Sequence, residues 1–219
     1  MKIIRLHKKS VNMMKHLAKF KWLVINLLLI SCGPNQDNSQ EQSYPVSQVA
    51  TEEVYYVNDQ QNQEIGRMII KPELRIEIDN QAYFTNWSNE KRKYSDVQGN
   101  TIFEVKYSDD GFKVRNADGQ MLWKVKVYDN KIKVADDEEM EQSYEIKVKN
   151  QFFAEILNQE QVEGTVELDP RGGPAKIGSA TDTLFFAGPK ASVYAGVVKL
   201  AEIDPLIRYI ILSELLSVQ

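Results

Sequence analysis

The side chains that carry most enzyme chemistry are confined to one end of this 219-residue chain. His7 and His16 are its two histidines and Cys32 is its one cysteine. Residues 33–219 therefore hold neither an imidazole nor a thiol, which excludes Ser-His-Asp and Cys-His nucleophile systems and the usual zinc and transition-metal ligand sets. The expectation is a non-enzyme with no cofactor and no metal. Paired carboxylates remain, because a glycosidase needs only two, about 5 to 9.5 Å apart. The densest group is Asp136-Asp137-Glu138-Glu139 with Glu141. It lacks the Asp-x-Asp-x-Asp-Gly spacing of a calcium loop and reads as an exposed acidic turn that balances nearby lysines, with weak calcium binding as the sharper alternative. Residues Gly172 to Ser179 have the glycine content of a phosphate loop. Their lysine precedes the last glycine and no strong strand leads in, so they read as a mobile loop.

Binding chemistry is better represented. Lys106, Lys113, Arg115, Lys124, Lys126, Lys131, Lys133, Lys147 and Lys149 fall at alternate positions between apolar residues. In extended chain they share one side of a sheet, a local positive field suited to an anionic lipid head group, a polysaccharide or an envelope protein partner. The competing reading is a solvated face whose lysines block edge pairing. Tyr83, Phe84 and Trp87 precede the charged stretch 89–93. They read as core, or alternatively as a ligand platform.

The elements that must position these residues are mostly strands. Leu74, Ile76 and Ile78 alternate with Arg75, Glu77 and Asp79. From Ile102 to Lys149 five runs repeat the pattern: Phe103/Val105/Tyr107, Phe112/Val114, Trp123/Val125/Val127, Ile132/Val134 and Tyr144/Ile146/Val148. Period-two alternation of β-branched and aromatic residues is the signature of half-buried strands. Asp109-Asp110-Gly111, Asp118-Gly119 and Asp129-Asn130 supply hairpin turns. Near the C-terminus, Asp204-Pro205 offers an N-cap and an N1 proline. The run from Leu206 to Leu216 that follows is interrupted mainly by Arg208, Ser213 and Glu214, and a helix apolar nearly all round is buried nearly all round. The fold class expected is mainly β (α+β): an antiparallel meander or β-barrel of about 9–12 short strands, with a hydrophobic C-terminal helix packed in or against it.

The N-terminus is organised as an export signal. Lys15, Lys19 and Lys21 precede the apolar stretch Trp22 to Ile30, broken only by Asn26. Nine residues reach about 14 Å against a hydrocarbon core of about 30 Å, so the stretch does not span a membrane. Met13 and Met14 just before it are alternative starts to Met1. Leu29-Ile30-Ser31-Cys32, with the abrupt switch to Gly33-Pro34-Asn35-Gln36, resembles the lipobox of bacterial lipoproteins. That resemblance implies a diacylglycerol thioether on Cys32, further acylation of the palmitate type, and removal of residues 1–31. Gly33 resembles the outer-membrane sorting pattern of Gram-negative cells; in a Gram-positive cell the chain would sit on the extracellular face of the plasma membrane. Residues 1–31 carry seven Lys or Arg and no Asp or Glu, so their removal leaves 20 basic against 31 acidic side chains, a net of -11. Such acidity argues against nucleic acid as a partner.

The expected organisation is a signal peptide at 1–31, a lipidated Cys32 with a flexible spacer to residue 50, and one β-rich domain over 51–219 with helices from about 190. A meander that ends in a hydrophobic helix is similar to the tubby and LURP-one-related barrels, over residues 54–219, on element order and Asp-Gly hairpins. That resemblance implies phospholipid binding, with a basic mouth near residues 89–93 as its discriminating feature. Three functions follow: a lipid-anchored envelope protein that binds or scaffolds without catalysis, a tubby-like phospholipid-binding barrel, or a carboxylate-dependent hydrolase. A Cys32→Ser chain is expected to lose acylation and to leave the envelope fraction. Mass measurement of the N-terminal peptide checks this, and an unchanged envelope fraction would contradict it.

Overall fold

The computed structural model describes residues 51–88, 90–179 and 181–218; the signal, Cys32 and the spacer lie outside them. Fourteen strands follow one another: β1 (Glu53–Asn58), β2 (Glu64–Lys71), β3 (Arg75–Ile78), β4 (Gln81–Ser88), β5 (Lys91–Ser95), β6 (Thr101–Ser108) and β7 (Gly111–Asn116), then β8 (Met121–Tyr128), β9 (Lys131–Ala135), β10 (Tyr144–Asn150), β11 (Phe153–Asn158), β12 (Gln161–Glu167), β13 (Ala175–Ser179) and β14 (Asp182–Ala187). Each pairs antiparallel with the next, and β14 returns to β1, closing a barrel. The antiparallel meander is as expected; it closes into a barrel, one of the two arrangements anticipated, with more strands than the 9–12 expected. The additional strands are short ones such as β13, which lies within the stretch expected to be a mobile loop. There Ala175 and Ile177 turn inward and pair with Phe186 and Leu184 of β14.

Local sequence explains the hairpins. Asp79-Asn80 and Gln159-Glu160 hold positive φ at both turn positions, the geometry of type I′ turns that matches strand twist. Asp96 accepts from the backbone of Gln98 and Asn100, and Asn116 accepts from that of Gln120, which fixes two wider turns. At the seam, Tyr55 stacks on Phe186 with ring centroids 5.4 Å apart.

Alternation places Val57, Met68, Ile76, Val105, Val114, Val125, Ile132, Ile146, Ile156, Val166 and Ile177 in the lumen, all buried. Lysine and glutamate alternate with them on the outer wall. This polarity is the reverse of a lipid-spanning barrel, which turns its apolar band outward.

Wall side chains fill a barrel of about eight strands, while 16–18 strands leave an open channel. Fourteen strands therefore enclose more space than the wall can occupy, and the last thirty residues fill it. After β14 the chain turns inward at Ser192 and runs as a 3₁₀ segment, Val193–Lys199. Gly196 lets that segment lie against Val166, Ile146 and Ile156, where a Cβ would come within 2.9 Å of the Val166 side chain. Asp204 then caps α1 (Pro205–Ser217), accepting from Leu206 N at 2.9 Å and Ile207 N at 3.4 Å. The start and the burial of this helix agree with the sequence: Ile207, Ile210, Ile211, Leu212, Leu215 and Leu216 are all enclosed. Arg208 ties the two passes together by donating to the Val198 carbonyl at 2.7 Å.

One polar cluster interrupts the lumen. Glu214 is fully enclosed, accepts from Tyr94 at 2.6 Å and from Tyr107, and pairs with Arg92 Nη1 at 3.2 Å. Burial pushes its carboxyl above the ordinary range, against the opposing pull of Arg92 and the hydroxyls of Tyr107, Tyr94 and Ser217. Removing one partner of a buried pair leaves the other charge uncompensated. Glu214→Ala is expected to cost about 3–5 kcal/mol in urea unfolding, and Arg92→Met with Glu214→Leu to recover most of that loss. A single-variant loss of under about 1 kcal/mol, the range of an exposed pair, would contradict the assignment.

Candidate functional site

Every predicted lysine-face residue lies on the outer wall of β6–β10, because its strand neighbours point into the lumen. Pairing then brings like charges together. Lys91, Lys106, Lys113 and Lys124 occupy directly opposed positions on four successive strands. Lys126 faces Lys133, and Lys131 faces Lys147. Directly opposed like charges destabilise a sheet, so this arrangement requires compensation.

A small set of carboxylates supplies it. Glu138 bridges Lys113 at 2.5 Å and Lys124 at 3.2 Å. Glu145 sits between Lys133 at 2.8 Å and Lys131 at 3.1 Å. Asp110 holds Lys126 at 2.9 Å, Glu155 holds Lys149 at 2.7 Å, and Glu104 holds Lys91 at 2.8 Å and Lys93 at 3.6 Å. Arg115 donates to the Gly119 carbonyl at 2.8 Å. Lys106 and Lys147 are exposed. The charged wall is continuous, and its anionic component is concentrated in a few shared groups.

The acidic turn is the most informative of these. Asp137 accepts from the backbone of Met140 and Glu141, Met140 takes positive φ and is buried, and the turn is thereby folded back over the wall. Glu138 is delivered to the lysines, and together with Lys124, Lys126, Tyr128, Lys133, Glu139 and Met140 it lines a concavity of 380 Å³. Among the described residues no group of three or more potential metal ligands converges. The hydrogen bond from Lys113, then that from Lys124, holds the Glu138 carboxyl below its ordinary range. Glu104 is lowered chiefly by Lys91. Burial works upward on Glu145, but hydrogen bonds from Lys133 and Lys131 outweigh it and leave it lowered.

Within the stretch 89–93, the residues Lys91 to Lys93 are divided by the wall. Lys91 and Lys93 face outward onto Glu104, while Arg92 points into the lumen onto Glu214. Its guanidinium lies 4.8 Å from the Trp87 ring, and Trp87 stacks on Tyr107 at 5.3 Å. The aromatic trio expected as core is split: Tyr83 packs against the core, whereas Phe84 and Trp87 are exposed. Sequence reasoning missed the Arg92–Glu214–Tyr94–Tyr107 cluster. Its available signals were a glutamate inside an otherwise apolar helix and an arginine at an inward position of a strand.

No family model matches the chain, and no curated relative matches it. Among solved structures, the barrel is similar to an X-ray structure of a protein from Arabidopsis thaliana, with 13% identity and a TM-score of 0.32, covering 55% of this chain and 86% of that one.

The lowered carboxylates give a pH dependence of fixed sign. Their pairing contributes stability that is fully present above the unfolded pKa, about 4.3 for glutamate, and is lost as pH falls through the lower folded value. Carboxyl-carbon NMR titrations of Glu104, Glu138 and Glu145 are expected to show midpoints below about 4.3. The double variant Lys113→Ala/Lys124→Ala should return Glu138 toward that value, and an unmoved midpoint would refute the bridge.

Proposed function

We propose that this protein is a lipid-anchored cell-envelope protein, held through acylated Cys32, whose barrel binds or scaffolds an anionic partner on the lysine wall of β5–β10. The supporting observation is the Glu138 carboxylate seated between Lys113 and Lys124. The protein's own acidic turn occupies the position that an anionic ligand would take, and opposed ammonium groups on neighbouring strands are spaced to share one such group. The lumen is filled by α1 and the 3₁₀ segment, so recognition belongs to the outer wall. Individual exposed pairs are worth about 1 kcal/mol or less, so an incoming anion displaces Glu138 at small cost.

The test is a Lys113→Glu/Lys124→Glu/Lys133→Glu chain, compared with the native chain for binding to phosphatidylglycerol vesicles and to an acidic polysaccharide. The native chain is expected to bind one of these in a salt-sensitive manner, and the variant to lose that binding while keeping its circular dichroism. Equal binding by both would remove the lysine wall from the function.

A further inference from the structure

Strand direction defines two poles. β1 begins at one of them, which is also the pole of the β4–β5, β6–β7, β8–β9 and β10–β11 hairpins. The exposed aromatic rings among the described residues are Trp87 (58%), Phe84 (43%), Tyr128 (42%) and Phe152 (38%); Trp87, Tyr128 and Phe152 lie toward this pole, and Phe84 lies midway along β4. Val127 beside Tyr128 and Val218 after α1 are exposed there too. Toward the opposite pole the exposed large apolar side chains are the aliphatic residues Ile65, Val97 and Val162. The pole that receives the chain from Cys32 is therefore the aromatic one.

We infer that this pole is a docking surface for the bilayer that carries the anchor, with Trp87 and Phe152 seated in the interfacial layer. The inference rests on acylation of Cys32, as proposed above. Trp and Tyr favour that layer because an apolar ring and a polar group are satisfied together there. Trp87 is presented rigidly, with Tyr107 stacked on it at 5.3 Å and the Arg92 guanidinium 4.8 Å from its centroid, so little side-chain freedom is lost on insertion. Lys91, Lys131 and Lys149 ring the same pole and can lay their stems along it with the ammonium groups toward lipid phosphates. The hairpins also carry Asp109 and Asp129, so apolar seating rather than net charge drives the contact, and the appropriate membrane is zwitterionic. Twenty residues separate Cys32 from Glu53. A tether of that length makes docking intramolecular, at an effective concentration of about a millimolar or more, so a weak surface suffices.

Trp87 itself reports the outcome. With residues 1–31 removed, the tryptophans are Trp87 and Trp123, and Trp123 packs against the lumen core. The acylated full-length product, purified from envelopes and reconstituted in phosphatidylcholine vesicles with brominated acyl chains, is expected to lose Trp87 emission relative to unbrominated vesicles. Trp87→Phe should abolish that quenching and Trp123→Phe should keep it. Emission identical in the two vesicle types, from a chain whose N-terminal peptide carries the acyl mass, overturns the docking and leaves the anchor standing. An unacylated Cys32 overturns both. Emission that responds to envelope polysaccharide and not to bromine also overturns docking, assigning the ring to a glycan.

Discussion

The volume enclosed by fourteen strands governs this structure. A closed sheet of that size cannot be filled by its own side chains, and an empty apolar lumen would forfeit the packing that close-packed interiors require. The chain resolves this by passing through its own barrel twice, first as the 3₁₀ segment Val193–Lys199 and then as α1. Everything apolar about the C-terminal helix follows. A helix surrounded by wall on every side needs no polar face, which explains a run such as Ile210-Ile211-Leu212 with no amphipathic stripe.

An all-apolar helix in an all-apolar tube is poorly specified in rotation and depth. Glu214 removes that freedom, because its carboxylate meets Arg92 and two phenols at one height on the wall. Such a cluster adds little to stability when compared with a well-packed apolar replacement. Its contacts tie α1 to β5 and β6 at one height on the wall. Outside the barrel the same economy of carboxylates applies: Glu104, Glu138 and Glu145 each serve two lysines, so the wall is held together by few groups and remains basic between them.

The strands of the central meander were legible because each has one wet face, and wet faces leave alternation in the sequence. Phe112-Lys113-Val114 and Ile132-Lys133-Val134 could adopt no other half-buried arrangement. The cap at Asp204-Pro205 was legible for a similarly local reason. β13 was not, since Ala175-Lys176-Ile177-Gly178-Ser179 offers two inward side chains and two glycines nearby. Only its neighbours β12 and β14 make it a strand. Closure was equally invisible, because the β1–β14 pairing joins residues about 130 positions apart and leaves no local trace. Trp87 was read as core by residue type; it shares the inward register of its partner Arg92, but it falls at the strand end, where inward means the open rim.

Parity decides how the ends of the chain are arranged. In an antiparallel barrel an even number of strands returns the chain to the pole where it entered, so the start of β1 and the end of β14 share one pole. Two passes through the lumen are again even, and α1 therefore delivers Glu214 and Ser217 back to that same pole, beside Arg92 and Tyr107. With thirteen strands, or one lumen pass, the incoming chain and the Glu214 cluster would stand at opposite poles. Strand count thus sets which loops share a pole with the start of β1. It turns the acidic turn after β9 and the Asp96 and Asn116 hairpins toward the other pole.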